Sequence, residues 1–240
     1  MPSENFDSLL YRKQFCYGPE KMPLTGWKTA PMPNGNWISS HPALTVTQVQ
    51  ENGIHATLLG FILNPEVPRE DDQTILTNLC RRSNSIDQFI EATETFGGRW
   101  AIILHRGEQS VVFNDAGGTR TVYSCTDAAG KVWLASQPGL LAERFGLQES
   151  AESKEFRASA EFQRRTEIWW PGDVTPFREI KAMLPNHLVD LKTGKARRYW
   201  PNRSLVKYSL EEGTHKAAKI LKGIMEAAHA RFPLAMSLSS

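Results

Sequence analysis

Gly98-Arg99-Trp100-Ala101-Ile102-Ile103 leads into Val111-Val112-Phe113. Asp115-x-x-Gly118-x-Arg120-x-x-Tyr123 then leads into Leu134-Ala135-Ser136. Pro171-Gly172-Asp173-x-Thr175-x-Phe177-x-x-Ile180-x-x-x-Leu184-Pro185-Asn186-His187-x-x-x-Leu191 follows, and Tyr199-Trp200 closes the series. Trp100 to His105 and Ser110 to Asn114 are apolar runs joined by Arg106-Gly107-Glu108, the pattern of a β-hairpin. Val122 to Cys125 and Val132 to Ala135 form a second pair. His187 to Leu191 and Arg197 to Trp200 form a third, around the turn Lys192-Thr193-Gly194. In the second phrase Gly117-Gly118 offers positive φ for a sharp turn. Asp115 can accept from the turn's backbone donors, and Arg120 can pair with Asp115. In the third, Thr175, Phe177 and Ile180 present a methyl and two large apolar groups inward.

Working outward, Leu44 to Val49 alternates as a strand. Ile54 to Leu63 is a strand with so little polarity that both its faces are covered. Asp71 to Cys80 starts acidic and carries Ile75, Leu76 and Leu79 at helical spacing. Ile86 to Thr95 is a second helix, and Pro138 to Phe145 a third that ends at Gly146. Residues 149 to 167 are charged and helical. Glu211 to His229 is a long helix with Ala217, Ile220, Leu221, Ile224 and Met225 on one face. Phe232 to Leu238 reads as a buried strand. Residues 1–40, broken by Pro19, Pro23, Pro31, Pro33 and Asn34-Gly35, read as a loop-rich lead-in.

The chain has 240 residues, 40% of them hydrophobic and 22% charged, which suits a soluble globular protein. Its net charge of +2 comes from scattered residues, not a basic stripe, so nucleic acid is not an expected partner. No run approaches the roughly 20 apolar residues that cross a bilayer, and no signal peptide is legible at the amino terminus. Three cysteines, Cys16, Cys80 and Cys125, form no C-x-x-C pair, which fits a reducing compartment. The expected location is the cytoplasm.

The order of the phrases resembles the amino-terminal half of the asparagine synthetase family. There G-x-F-A-F is followed by R-D-x-x-G-x-R-P-L-Y, F-A-S-E, P-G-x-x-x-F-x-x-I-x-x-L-P-P-G-H and Y-W. The resemblance covers about residues 54–240 and is densest from 98 to 200. It implies an α+β fold, a four-layer α-β-β-α sandwich of the Ntn-hydrolase type, followed by the first helix and strand of an α/β ATP-pyrophosphatase domain. The implied domains are the lead-in at 1–40, a glutamine amidotransferase-like domain at 41–205 and a truncated synthetase start at 206–240. Asp115, Gly118, Arg120 and Tyr123 are then the structural family motif. The resemblance likewise implies that His187 is a packing residue at a strand start.

Glutamine hydrolysis of this kind needs a thiol at the extreme amino terminus, whose own α-amine is the base, and donors for the oxyanion. Positions 2 and 3 are Pro2 and Ser3. The family's N-G-E-I-Y-N phrase matches Leu59-Gly60-Phe61-Ile62-Leu63-Asn64, so Gly60 and Asn64 survive while the amide donor is Leu59. That exchange removes about 3 kcal/mol of transition-state stabilisation. Asp71 is the acid left to hold a substrate amine, and it is equally a plain helix-start residue. Cys16 becomes an amino-terminal nucleophile only if residues 1–15 are cut away, and Tyr17 follows it where the family has Gly. Leu238, Ser239 and Ser240 stand where the family's ATP loop begins.

These readings imply a degenerate glutaminase-like domain, inactive alone, that serves as scaffold for the synthetase domain of an ATP-dependent amide-forming ligase. The chain itself then needs no cofactor; ATP and Mg belong to the intact protein. Its partner is the missing carboxy-terminal synthetase domain, and a homodimer is compatible. Two alternatives stay open: an active amidotransferase using processed Cys16, and a non-catalytic module binding a small ligand.

Overall fold

Strand β5 (Ile54–Leu63) and strand β6 (Gly97–Arg106) pair antiparallel along their lengths, from His55 opposite His105 to Leu63 opposite Gly97. Their side chains alternate with period two, as a sheet covered on both faces requires. Ala56, Leu58, Trp100, Ile102 and Leu104 turn to one face; Leu59, Ala101 and Ile103 turn to the other. The structure, a computed structural model, describes residues 11–164, 166 and 170–232.

Among the described residues, two six-stranded sheets are built from these and ten further strands. One holds β4 (Val46–Glu51), β5, β6, β7 (Gln109–Asn114), β11 (His187–Asp190) and β12 (Ala196–Arg198), in the order β12-β11-β7-β6-β5-β4. The other holds β1 (Phe15–Gly18), β2 (Lys28–Pro31), β3 (Trp37–Ser40), β8 (Tyr123–Thr126), β9 (Val132–Ala135) and the two-residue β10 (Lys181–Ala182), in the order β10-β8-β9-β1-β3-β2. All the pairings are antiparallel.

Three apolar clusters follow from the alternation. Phe15, Tyr17 and Leu134 of one sheet meet Leu59, Ile103 and Val112 of the other. The outer face of the β5–β6 sheet packs on helices α1 (Asp72–Arg82) and α2 (Ile86–Ala92) through Ile75, Leu76, Leu79 and Phe89. The outer face of the β1 sheet packs on α3 (Pro138–Phe145) through Cys16, Trp133, Leu140 and Leu141.

The expected hairpins and helices form with shifts of a few residues at their ends, and α3 stops at Gly146 in the left-handed region as expected. One expectation needs correction. The loop-rich lead-in at 1–40 holds β1, β2 and β3, three of the six strands of one sheet, so the sheet unit is already under way at Phe15 and not at residue 41. Proline and Asn-Gly breakers masked strands only four residues long. The charged stretch at 149–167 is helical as expected where it is described. Its described part forms α4 (Ala151–Ala158) and α5 (Ala160–Gln163), split at Ser159, whose hydroxyl accepts from Phe162 N and caps the second.

The long helix α6 (Leu210–Arg231) begins with a capping box between Ser209 and Glu212. Its later turns press on the end of β5 and β6. A Cβ on Gly223 would stand 2.1 Å from Pro65 O, so only glycine permits this approach. Phe232 stacks edge-on against Phe61. The strand expected from Phe232 to Leu238 falls, after Phe232, outside the described residues. Among the described residues no helix is long and apolar enough to cross a membrane.

Candidate functional site

The three sequence phrases meet at one corner, and Asp115 is its centre. This carboxylate is 4% exposed and takes four donors: Trp100 N, Thr119 N, Thr119 Oγ1 and Arg120 N. Gly118 has φ 63° and lies so close to Pro185 that a Cβ would sit 2.9 Å from its Cγ. Tyr199 completes the corner, donating from its hydroxyl to Asn114 O and from its amide to Asn186 O. Burial pushes the Tyr199 phenol up to about 12, so it remains a donor. The expected inward placement of Thr175, Phe177 and Ile180 holds, with Thr175 Oγ1 donating toward Ile180 O. His187 opens β11 and lies half-buried against Pro185 O. Tyr123 packs half-buried on the α3 side, and burial raises its phenol.

The expected pairing of Arg120 with Asp115 is corrected in its chemistry. The backbone amide of Arg120 makes the bond, at 2.9 Å, while the guanidinium turns away and donates from Nη1 to Lys13 O. The turn geometry leaves the side chain directed toward β1 and Gly60.

Beside this guanidinium lies the segment matched to the oxyanion phrase. Leu59 is wholly buried in the cluster between the sheets. Gly60 has φ 117° and is hemmed in: a Cβ there would stand 2.1 Å from Arg99 O and 3.3 Å from Arg120 Nη2. Its amide donates to Thr45 O at 2.9 Å. The sequence alone could not reveal this bond, because it joins Thr45, just before β4, to Gly60 within β5.

Asn64 and Asp71 stand as local caps. Asn64 Nδ2 donates to Glu70 Oε2, and its Oδ1 accepts from Glu66 N. Asp71 is the N-cap of α1, accepting from Thr74 N at 2.8 Å, and that bond holds its carboxyl below the usual range. Its neighbour Asp72 is the buried one. It accepts from Ile62 N and from Arg231 Nη1 of α6, both on Oδ1. Arg231 also donates to Glu70 O, tying α6 to the end of β5.

Cys16 is 2% exposed in β1, and its side chain belongs to the cluster under α3, on the face turned away from Leu59. Burial, then the neighbouring Cys125, drives its thiol far above the ordinary range. The residue before it, Phe15, is fully buried between the sheets, and its amide donates to Ser136 Oγ. The bond that processing would cut is therefore inside the protein. Pro2, Ser3, Leu238, Ser239 and Ser240 lie outside the described residues.

A second polar group sits at the other end of β5 and β6. His55 and His105 face each other with ring centroids 5.9 Å apart, and His105 Nδ1 is 2.7 Å from Ser110 Oγ. His105 Nε2 and His55 Nδ1 are buried without partners. Burial, then His55, lowers His105 to about 4. Both histidines fall on the inward-facing alternation with Thr57 and Ile103, which was the available signal.

No protein-family model matches this chain, and no curated protein matches it. Among solved structures it is similar to the glutamine phosphoribosylpyrophosphate amidotransferase from B. subtilis, with 12% identity and a TM-score of 0.44. It is also similar to an allosteric regulatory enzyme of purine biosynthesis, with 12% identity and a TM-score of 0.46. Each match covers 82% of this chain and 46% of the other, so the chain spans about half the length of the structures it matches.

Proposed function

We propose that this chain is a degenerate glutaminase-like domain of an asparagine-synthetase-like, ATP-dependent amide-forming ligase. In this reading the two sheets with α1 and α2 on one side and α3 on the other are the four layers of an Ntn-hydrolase-type sandwich. The domain performs no glutamine hydrolysis of its own. It acts as a scaffold for a synthetase part in the same protein, in the cytoplasm, and α6 is the opening helix of that part. The exposed Leu221 and Met225 on α6 support this, since they leave an apolar side for further chain to cover. ATP and Mg would be held by that part, and no step through them is derived from the residues described.

One observation carries the loss of activity. At the segment matched to the oxyanion phrase, Leu59 is sealed in the core and the Gly60 amide is already bonded to Thr45 O. Neither an amide side chain nor a free backbone N–H remains to meet developing negative charge. The burial of Cys16 supports the same conclusion from the side of the nucleophile. Incubation of the purified protein with glutamine should release glutamate no faster than a buffer blank. Release above the blank that persists in Cys16→Ala, or vanishes with it, would remove the proposal in either case.

A further inference from the structure

We propose that the corner at Arg120 is an anion site for a small oxyanion, carboxylate or phosphate, on the side-on edge of the guanidinium. Arg120 is 6% exposed, and arginine keeps its charge under such burial. Buried charges are ordinarily paired, because an unpaired one loses its hydration without compensation. Nη1 is satisfied by Lys13 O at 3.1 Å. Nε is buried with no partner, and Nη2 donates to no acceptor among the described residues. These two nitrogens form the parallel fork that grips a carboxylate or phosphate through two hydrogen bonds.

Arg120 sits between charges of both signs: Asp115 favours its charged form and Arg99 opposes it. Arg120 makes no ion pair among the described residues. The nearby acid, Asp115, has its oxygens taken up by the four donors of the turn. A second cation, Arg99, lies close enough to depress Arg120 further, after burial itself. Arg99 is exposed and donates from Nε to Thr119 O, so it stands at the rim. Gly60 borders the Nη2 edge: a methyl there would sit 3.3 Å from Nη2 and 2.1 Å from Arg99 O. Two cations, a buried Nε without a partner and the Gly60 backbone come together from β5, β6 and the Asp115 turn. The inference stands on these contacts and not on the amidotransferase reading.

Thermal melts and calorimetric titrations with sodium phosphate and with sodium acetate, each against sodium chloride at equal ionic strength, test it. The wild-type chain should show a saturable rise in Tm with phosphate or acetate and none with chloride; the more effective salt assigns the site to phosphate or to carboxylate. Arg99→Gln changes an exposed residue and should fold, and its affinity for the effective anion should fall roughly tenfold. Arg120→Lys keeps the charge and removes the fork, and should lose the saturable response. Superimposable melts in the three salts would overturn the proposal. So would an undiminished anion response in Arg99→Gln.

Discussion

Cys16 shows how one side chain's direction decides chemistry. On a strand, neighbours point to opposite faces. Phe15 and Tyr17 occupy the layer between the sheets, so Cys16 must face α3, where it is a small apolar filler beside Trp133. Its raised thiol and the two other buried cysteines should make the native protein slow toward a thiol reagent. With Ellman's reagent, we expect little release from the folded chain and three equivalents after denaturation. One fast thiol mapped to Cys16 would contradict this placement. Gly60 and Asp71 teach the complementary lesson. Both were legible as candidates in the sequence, yet Gly60's amide and Asp71's carboxylate are each already occupied, by Thr45 and Thr74.

Among the elements, β5 and β6 are the frame on which both polar corners are hung. One end carries Gly60 and Gly98; the other brings His55 opposite His105. The histidine pair makes stability depend on acid. His105 has a folded-state value of about 4 against an ordinary 6.5, so below 6.5 the unfolded chain binds a proton that the folded chain refuses. Stability is fully present above about 6.5 and declines as pH falls toward 4, by about 3 kcal/mol for this group if it keeps its folded environment. Melting temperatures measured across pH 4 to 7 should fall on the acid side, and the imidazole resonances of His105 should not titrate near 6.5. A His105 signal with an ordinary midpoint would refute it. The helices behave differently. Their starts follow local rules, with Asp71, Ser85, Ser150, Ser159 and Ser209 each capping a helix. What α6 docks against follows from two distant contacts, Gly223 on Pro65 and Arg231 on Asp72.

For the molecule entire, the first forty residues carry more than their composition suggested. β1 lies between β9 and β3, so the sheet has no continuous ladder without it. A chain beginning at residue 41 should therefore lack cooperative melting and bind hydrophobic dyes, whereas the full chain melts in one transition; a sharp melt of the shortened chain would show the lead-in to be dispensable. Much of the frame was readable in the linear order. Two-residue alternation marked β4, apolar runs marked β5, β6 and β7, an acidic start marked α1, a closing glycine α3 and an apolar face α6, and the turn residues Asp115 and Gly118 marked the corner, because each of these signals acts over a few neighbouring residues. Strands of four residues beside prolines gave too short a period to detect, so β1 to β3 went unread. Which hydrogen-bonding groups remain free is a different kind of fact. Thr45 silencing Gly60, Lys13 holding one edge of Arg120, and Arg231 reaching Asp72 join positions from 15 to 159 residues apart. Such contacts arise when packed layers bring those groups together, and no local pattern records them.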